Sequence, residues 1–90
     1  MDLIILTADE KVFEGRVNRI TVPGVEGEFE VLENHAPIVS SLTVGTINIT
    51  KENKDNMDLD IHSGFIEVLD NKVSLLVQAQ TEVATSSEEG

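Results

Sequence analysis

Met57, Leu59 and Ile61 alternate with Asp58, Asp60 and His62, a strict apolar–polar period of two. That period puts one set of side chains on each face of a pleated strand; a helix would need its apolar positions three and four apart. The pattern returns in Ile47 and Ile49 against Asn48 and Thr50, in Ile20 and Val22 against Arg19 and Thr21, and in Phe29 and Val31 against Glu28, Glu30 and Leu32. Leu3–Thr7 is almost continuously apolar, as in a strand covered on both sides. Turn-forming groups punctuate the runs at Ala8–Lys11, Lys51–Asn56, Ser63-Gly64 and Asp70-Asn71. The last pair tolerates the left-handed angles of a two-residue hairpin. Before Thr81 no stretch carries a helical period, so the residues predict seven to nine short strands in an antiparallel sandwich or barrel.

Ninety residues suffice for one domain, and a chain of this size buries only about 60–65% of its unfolded surface. The three phenylalanines, Phe13, Phe29 and Phe65, fit core positions, and no Trp or Tyr is present for stacking on sugars. Seventeen acids against six bases leave a net charge of −11, and the bases are scattered. Phosphate neutralisation needs clustered Lys and Arg, which argues against nucleic acid and against an anionic bilayer as partner. A basic protein surface suits this balance best. With no cysteine there is neither a disulfide scaffold nor a thiolate site. The opening Met-Asp-Leu-Ile-Ile-Leu carries an acid where a signal peptide needs a base, and no run reaches the roughly 18 apolar residues of a membrane span. A cytoplasmic location is expected.

Pro23–Pro37 concentrates two glycines, two prolines, four glutamates and His35 between strand-like runs. It forms a shaped acidic loop–strand–loop, the kind of segment that contacts partners. His35 has no nucleophile beside it, and its expected work is to satisfy loop backbone groups or touch a partner. Glu28 and Glu30 share one side of a strand with no apolar pocket to raise either pKa, so they do not read as an acid/base pair. Their mutual repulsion instead favours an interface. Pro23-Gly24-Val25-Glu26-Gly27 lacks the lysine and following helix of a phosphate loop. Asp58, Asp60 and His62 read as the solvated face of an amphipathic strand, since a flat strand does not wrap a cation. No cofactor, metal or catalytic residue is expected.

Five motifs, in order, resemble the epsilon subunit of F-type ATP synthase (delta in mitochondrial naming), specifically its N-terminal β-sandwich domain. They are Val12-Phe13-Glu14-Gly15, Pro23–Pro37, Val44-Gly45-Thr46-Ile47, Gly64-Phe65-Ile66-Glu67-Val68 and Asn71-Lys72-Val73. The resemblance implies an all-β, flattened antiparallel β-sandwich of about 8–10 short strands over residues 1–80, with 81–90 as a flexible acidic tail. Glu30 stands where that family commonly has a small residue, Glu33 where it often has Pro, and Ser63 where the first of two glycines usually lies. Typical members continue into a C-terminal helical hairpin; this sequence stops at Gly90, and a form without the hairpin is expected.

By the same resemblance, the function is that of a non-catalytic central-stalk (rotor) subunit. It would link gamma to the membrane c-ring, peripheral to the cytoplasmic side of a bacterial inner membrane, and so couple ion translocation to ATP synthesis. The c-ring contact carries over to Glu26, Glu28, Glu30, Asn34 and His35. The gamma contact falls on the face and rim bearing Leu42, Val44, Ile66 and the last strand. Without the resemblance, a stand-alone acidic β-sandwich that binds a cation or carbohydrate stays open as the alternative.

Overall fold

The computed structural model describes residues 1–80, all in strands, turns and loops. Thr81–Gly90, read above as a tail, lies outside the described residues. Seven strands follow in order: β1 (Asp2–Leu6), β2 (Lys11–Gly24), β3 (Gly27–Leu32), β4 (Ile38–Leu42), β5 (Gly45–Lys51), β6 (Asn56–Leu69) and β7 (Lys72–Ala79).

Seven lies within the seven to nine that the residues predict and below the 8–10 that the resemblance implies, for a physical reason that recurs. Val12–Gly15 and Arg16–Val22 belong to one 14-residue strand, β2, and the runs on either side of Ser63-Gly64 belong to one 14-residue strand, β6. In each the ladder carries an extra residue, in β6 beside the Ser63-Gly64 pair read as a turn: β2 shifts register between Val17 and Arg19 against β5, and β6 between Ile61 and Ser63 against β7. Such a bulge leaves one residue unopposed and bends the strand. It also reverses which parity points inward. In β2 the buried positions pass from Val17 to Ile20 and Val22; in β6 they pass from Ile61 to Ile66 and Val68.

The two bent strands divide the fold into layers. The first layer joins β3, the C-terminal half of β2, β5 and the N-terminal half of β6. The second joins the N-terminal half of β2, β1, β7, the C-terminal half of β6 and β4. All pairings are antiparallel except β1–β7, which is parallel. β1 is therefore flanked on both edges, and Leu3 and Ile5 are buried; its other face, with Ile4 and Leu6 only partly buried, lacks the cover that its apolar run predicted. Between the layers lie Ile20, Val22, Val31, Ile47, Ile49 and Ile61 from one side and Leu3, Ile5, Ile66, Val68, Val73 and Leu75 from the other. No polar or charged residue is buried among the described residues. The core is thus held by apolar burial, at roughly 25 cal/mol per Å².

Turn chemistry follows the residue types. Asp70 and Asn71 take φ 51° and 63°, closing the β6–β7 hairpin with Leu69 opposite Lys72. Gly27 adopts φ 131°, a conformation that disfavours side chains, and ends the Val25-Glu26 turn opposite Gly24.

Candidate functional surfaces

The two layers turn outward with unlike chemistry. On the first layer, β3 presents Glu28, Glu30 and Leu32, and β2 presents Arg19 and Thr21. β5 and β6 add Asn48 and Thr50 beside Asp58 and Asp60. The polar groups are knitted across the strands. Asn48 Nδ2 donates to Asp58 Oδ1, and Thr46 Oγ1 donates to Asp60 Oδ1 at 2.7 Å. Arg19 Nε lies 3.4 Å from Glu30 Oε2. Asp58 and Asp60 thus belong to a hydrogen-bonded ladder on a solvated face.

The second layer's outer face is apolar at its middle. Register sets Phe65 of β6 opposite Leu76 of β7, and Leu76 opposite Leu6 of β1. Phe65 is 56% exposed and Leu76 53%. Val39 of β4, 71% exposed, sits one rung away opposite Glu67, and Ile4 occupies the matching rung of β1. Phe65 was expected inside; the bulge at Ile61/Ser63 turns it outward. The same parity puts Ile66 at 0% and Leu42 at 3% exposure, in the chain's own core and not on a contact face. Of the three residues assigned to a gamma contact only Val44, between β4 and β5, is exposed.

The remaining expected contact residues lie along one edge of the first layer. β3 pairs with β2 alone and ends its layer. Glu26 stands exposed in the turn before β3, Glu28 and Glu30 on the strand, and Asn34 and His35 in the turn after it. They are strung over roughly 20 Å at about 3.4 Å per residue, so they form a stripe and not a cluster. Among the described residues Glu26 and Glu28 have no ion-pair partner, whereas Glu30 has Arg19. His35 is half-buried; its Nδ1 donates to the Ala36 carbonyl at 2.7 Å, and its backbone N–H donates to Leu32 O at 3.1 Å. The imidazole therefore serves the loop's backbone.

Glu33 has a different role from its neighbours. Its Oε1 accepts from the Met1 ammonium at 2.8 Å and its Oε2 from Asn71 Nδ2 at 2.7 Å. The ammonium bond, then the Asn71 bond, hold the Glu33 carboxyl below the usual carboxylate range. Nothing in the sequence spacing announced this contact across 38 residues. The exposed apolar face did leave a signal: in Phe65-Ile66, Leu75-Leu76 and Ile38-Val39 apolar residues occupy both parities of a strand. A strand with two apolar faces has something to cover on each.

The described residues thus form a two-layer β-sandwich with one outer face apolar at its middle and one acidic edge. Residues 1–83 match the family described as ATP synthase, Delta/Epsilon chain, beta-sandwich domain, and the chain belongs to that family. It is 44% identical over 77 residues to an ATP synthase epsilon chain of Pelotomaculum thermopropionicum, a match covering 86% of this chain and 57% of the relative. Among solved structures it resembles a chain in the cryo-EM structure of the Euglena gracilis mitochondrial ATP synthase, OSCP/F1/c-ring in rotational state 1. The TM-score there is 0.79 at 26% identity, covering 97% of this chain and 61% of that one. A chain of the Tetrahymena thermophila mitochondrial ATP synthase central stalk/c-ring structure shares the fold, with a TM-score of 0.74 at 20% identity over 99% of this chain and 73% of that one. The chain thus spans little more than half the length of its epsilon-chain relative. Among the described residues no helix is long and apolar enough to cross a membrane.

Proposed function

We propose that this domain is a non-catalytic rotor component of an F-type ATP synthase, joining the gamma subunit to the c-ring so that ion flow drives ATP synthesis. The observation that carries the reading is the chemical contrast between its surfaces. The row of Phe65, Leu76 and Leu6, with Val39 and Ile4 beside it, suits a dry, lasting contact with gamma. The β3 edge with Glu26, Glu28, Glu30, Asn34 and His35 suits a polar contact with basic loops of a c-ring. Val44 supplements the gamma contact from the β4–β5 connection. Through these two contacts the domain is peripheral to the membrane, on the cytoplasmic side of a bacterial inner membrane. It makes and breaks no bond; stiffness and two distinct contacts are what coupling asks of it.

Reconstitution with gamma and a c-ring tests this directly. Phe65→Asp should abolish association with gamma while leaving the chain folded, and Glu28→Lys should weaken association with the c-ring only. Equal binding of both variants and the parent to both partners would refute the assignment.

A further inference from the structure

We infer that Asn71, in the hairpin turn between β6 and β7, is a positioning residue for the loop that ends the acidic edge, and that Glu33 is an internal tie and not a contact acid. The Asn71 amide is used at both ends. Its Oδ1 accepts from the Asn34 backbone N–H at 2.8 Å, and its Nδ2 donates to Glu33 Oε2 at 2.7 Å. Its carbonyl meanwhile accepts from Asp2 N–H at 3.1 Å. One side chain therefore grips two successive residues of a turn 37 positions away.

That turn needs holding. Asn34 sits at φ 63°, a left-handed conformation that costs free energy for a non-glycine residue. Its closing bond, His35 N–H to Leu32 O at 3.1 Å, is the loop's own backbone restraint at that point. Glu33 adds a second tie by accepting from the Met1 ammonium with its other oxygen. Each oxygen of the Glu33 carboxylate thus already accepts one bond from within the chain, and its charge is already paired with the Met1 ammonium, although half of the side chain stays exposed. The acids of the edge thus separate by use: Glu33 is engaged internally, Glu30 is shared with Arg19, and Glu26 and Glu28 face outward. A loop already ordered before contact loses less freedom on docking, which raises affinity without adding a contact. This inference rests on the rotor reading for what the loop touches, but not for how it is held.

Two variants test it in the full chain. Asn71→Gly keeps the left-handed turn, since glycine adopts φ 63° readily, and removes both side-chain bonds. Asn71→Asp keeps an acceptor for Asn34 and turns an oxygen towards Glu33. Amide hydrogen exchange of the isolated chain should accelerate at Asn34 and His35 at least tenfold in Asn71→Gly, with exchange in β1 and β7 unchanged. In Asn71→Asp, Asn34 should stay protected while Glu33 titrates closer to an ordinary carboxylate. Binding to a purified c-ring should weaken about tenfold in Asn71→Gly. Unchanged exchange at Asn34 in Asn71→Gly overturns the grip, and accelerated exchange with undiminished c-ring binding overturns the positioning role. If the parent chain itself fails to bind the c-ring, the rotor reading falls, and exchange at Asn34 still decides whether the grip exists.

Discussion

Phe65 and Ile66 are neighbours on one strand with opposite fates, and replacing each by alanine separates their roles. Ile66 is 0% exposed in the core, and truncating such a residue costs about 3 kcal/mol, within a usual span of about 2–5. Phe65 keeps 56% of its surface in solvent. The covered part of a phenylalanine that exposed is roughly 90 Å², equivalent to about 2 kcal/mol at 25 cal/mol per Å² as an upper bound. Alanine retains part of that contact, and the unfolded chain already buries some of it, leaving about 1 kcal/mol. For a domain of this size each kcal/mol lowers the melting temperature by about 4–8 °C. Ile66→Ala should therefore melt roughly 12–24 °C below the parent and Phe65→Ala only about 4–8 °C below it. Scanning calorimetry on the three proteins measures both, and a pull-down with gamma should show the reverse order of damage. If Phe65→Ala loses as much stability as Ile66→Ala, then Phe65 is a core residue, the bulge does not reverse the strand, and the apolar docking face does not exist.

Glu33, whose carboxyl is held below its ordinary range, contributes stability that is present above the unfolded-state pKa of about 4.3 and lost as pH falls through the lower folded value. Denaturant midpoints of the parent should therefore fall more steeply below about pH 4.3 than those of Glu33→Gln; parallel curves would exclude the tie. Gly64→Ala places a methyl 2.8 Å from the Leu76 carbonyl and 2.9 Å from Val77 Cγ1, so urea unfolding should show a loss of about 1–3 kcal/mol. Glu28→Lys should weaken c-ring association in a way that added salt reduces, because it acts through exposed charge; surface plasmon resonance at two ionic strengths measures this.

Much of the fold is legible in the sequence because period two is a local property. Met57–His62 and Ile47–Thr50 announce which side faces in, and Asp70-Asn71 announces its hairpin from residue type alone. What fails is continuity. Ser63-Gly64 looks like a stop, whereas the strand runs on through it with one residue unopposed, and every side chain beyond it changes face. The sequence alone puts Leu42 and Ile66 on a contact surface and Phe65 in the core, because no local signal distinguishes a bulge from a turn. Glu33 shows the same limit in another form. Its partners, Met1 and Asn71, are 32 and 38 residues away, and a bond of that kind exists only once the sheets have closed. The acidic edge was legible as a charged segment, but its spread along an edge strand depended on knowing that β3 has one neighbour.

Because β2 and β6 each belong to both layers, the two sheets are sewn together by covalent chain at two places. In an ordinary sandwich a sideways load is resisted only by interdigitated side chains, which can slip past one another. Here slippage would have to drag a continuous peptide backbone out of its ladder on each side of a bulge. A push delivered to one sheet therefore reaches the other as tension in the main chain, with little slack to be taken up first.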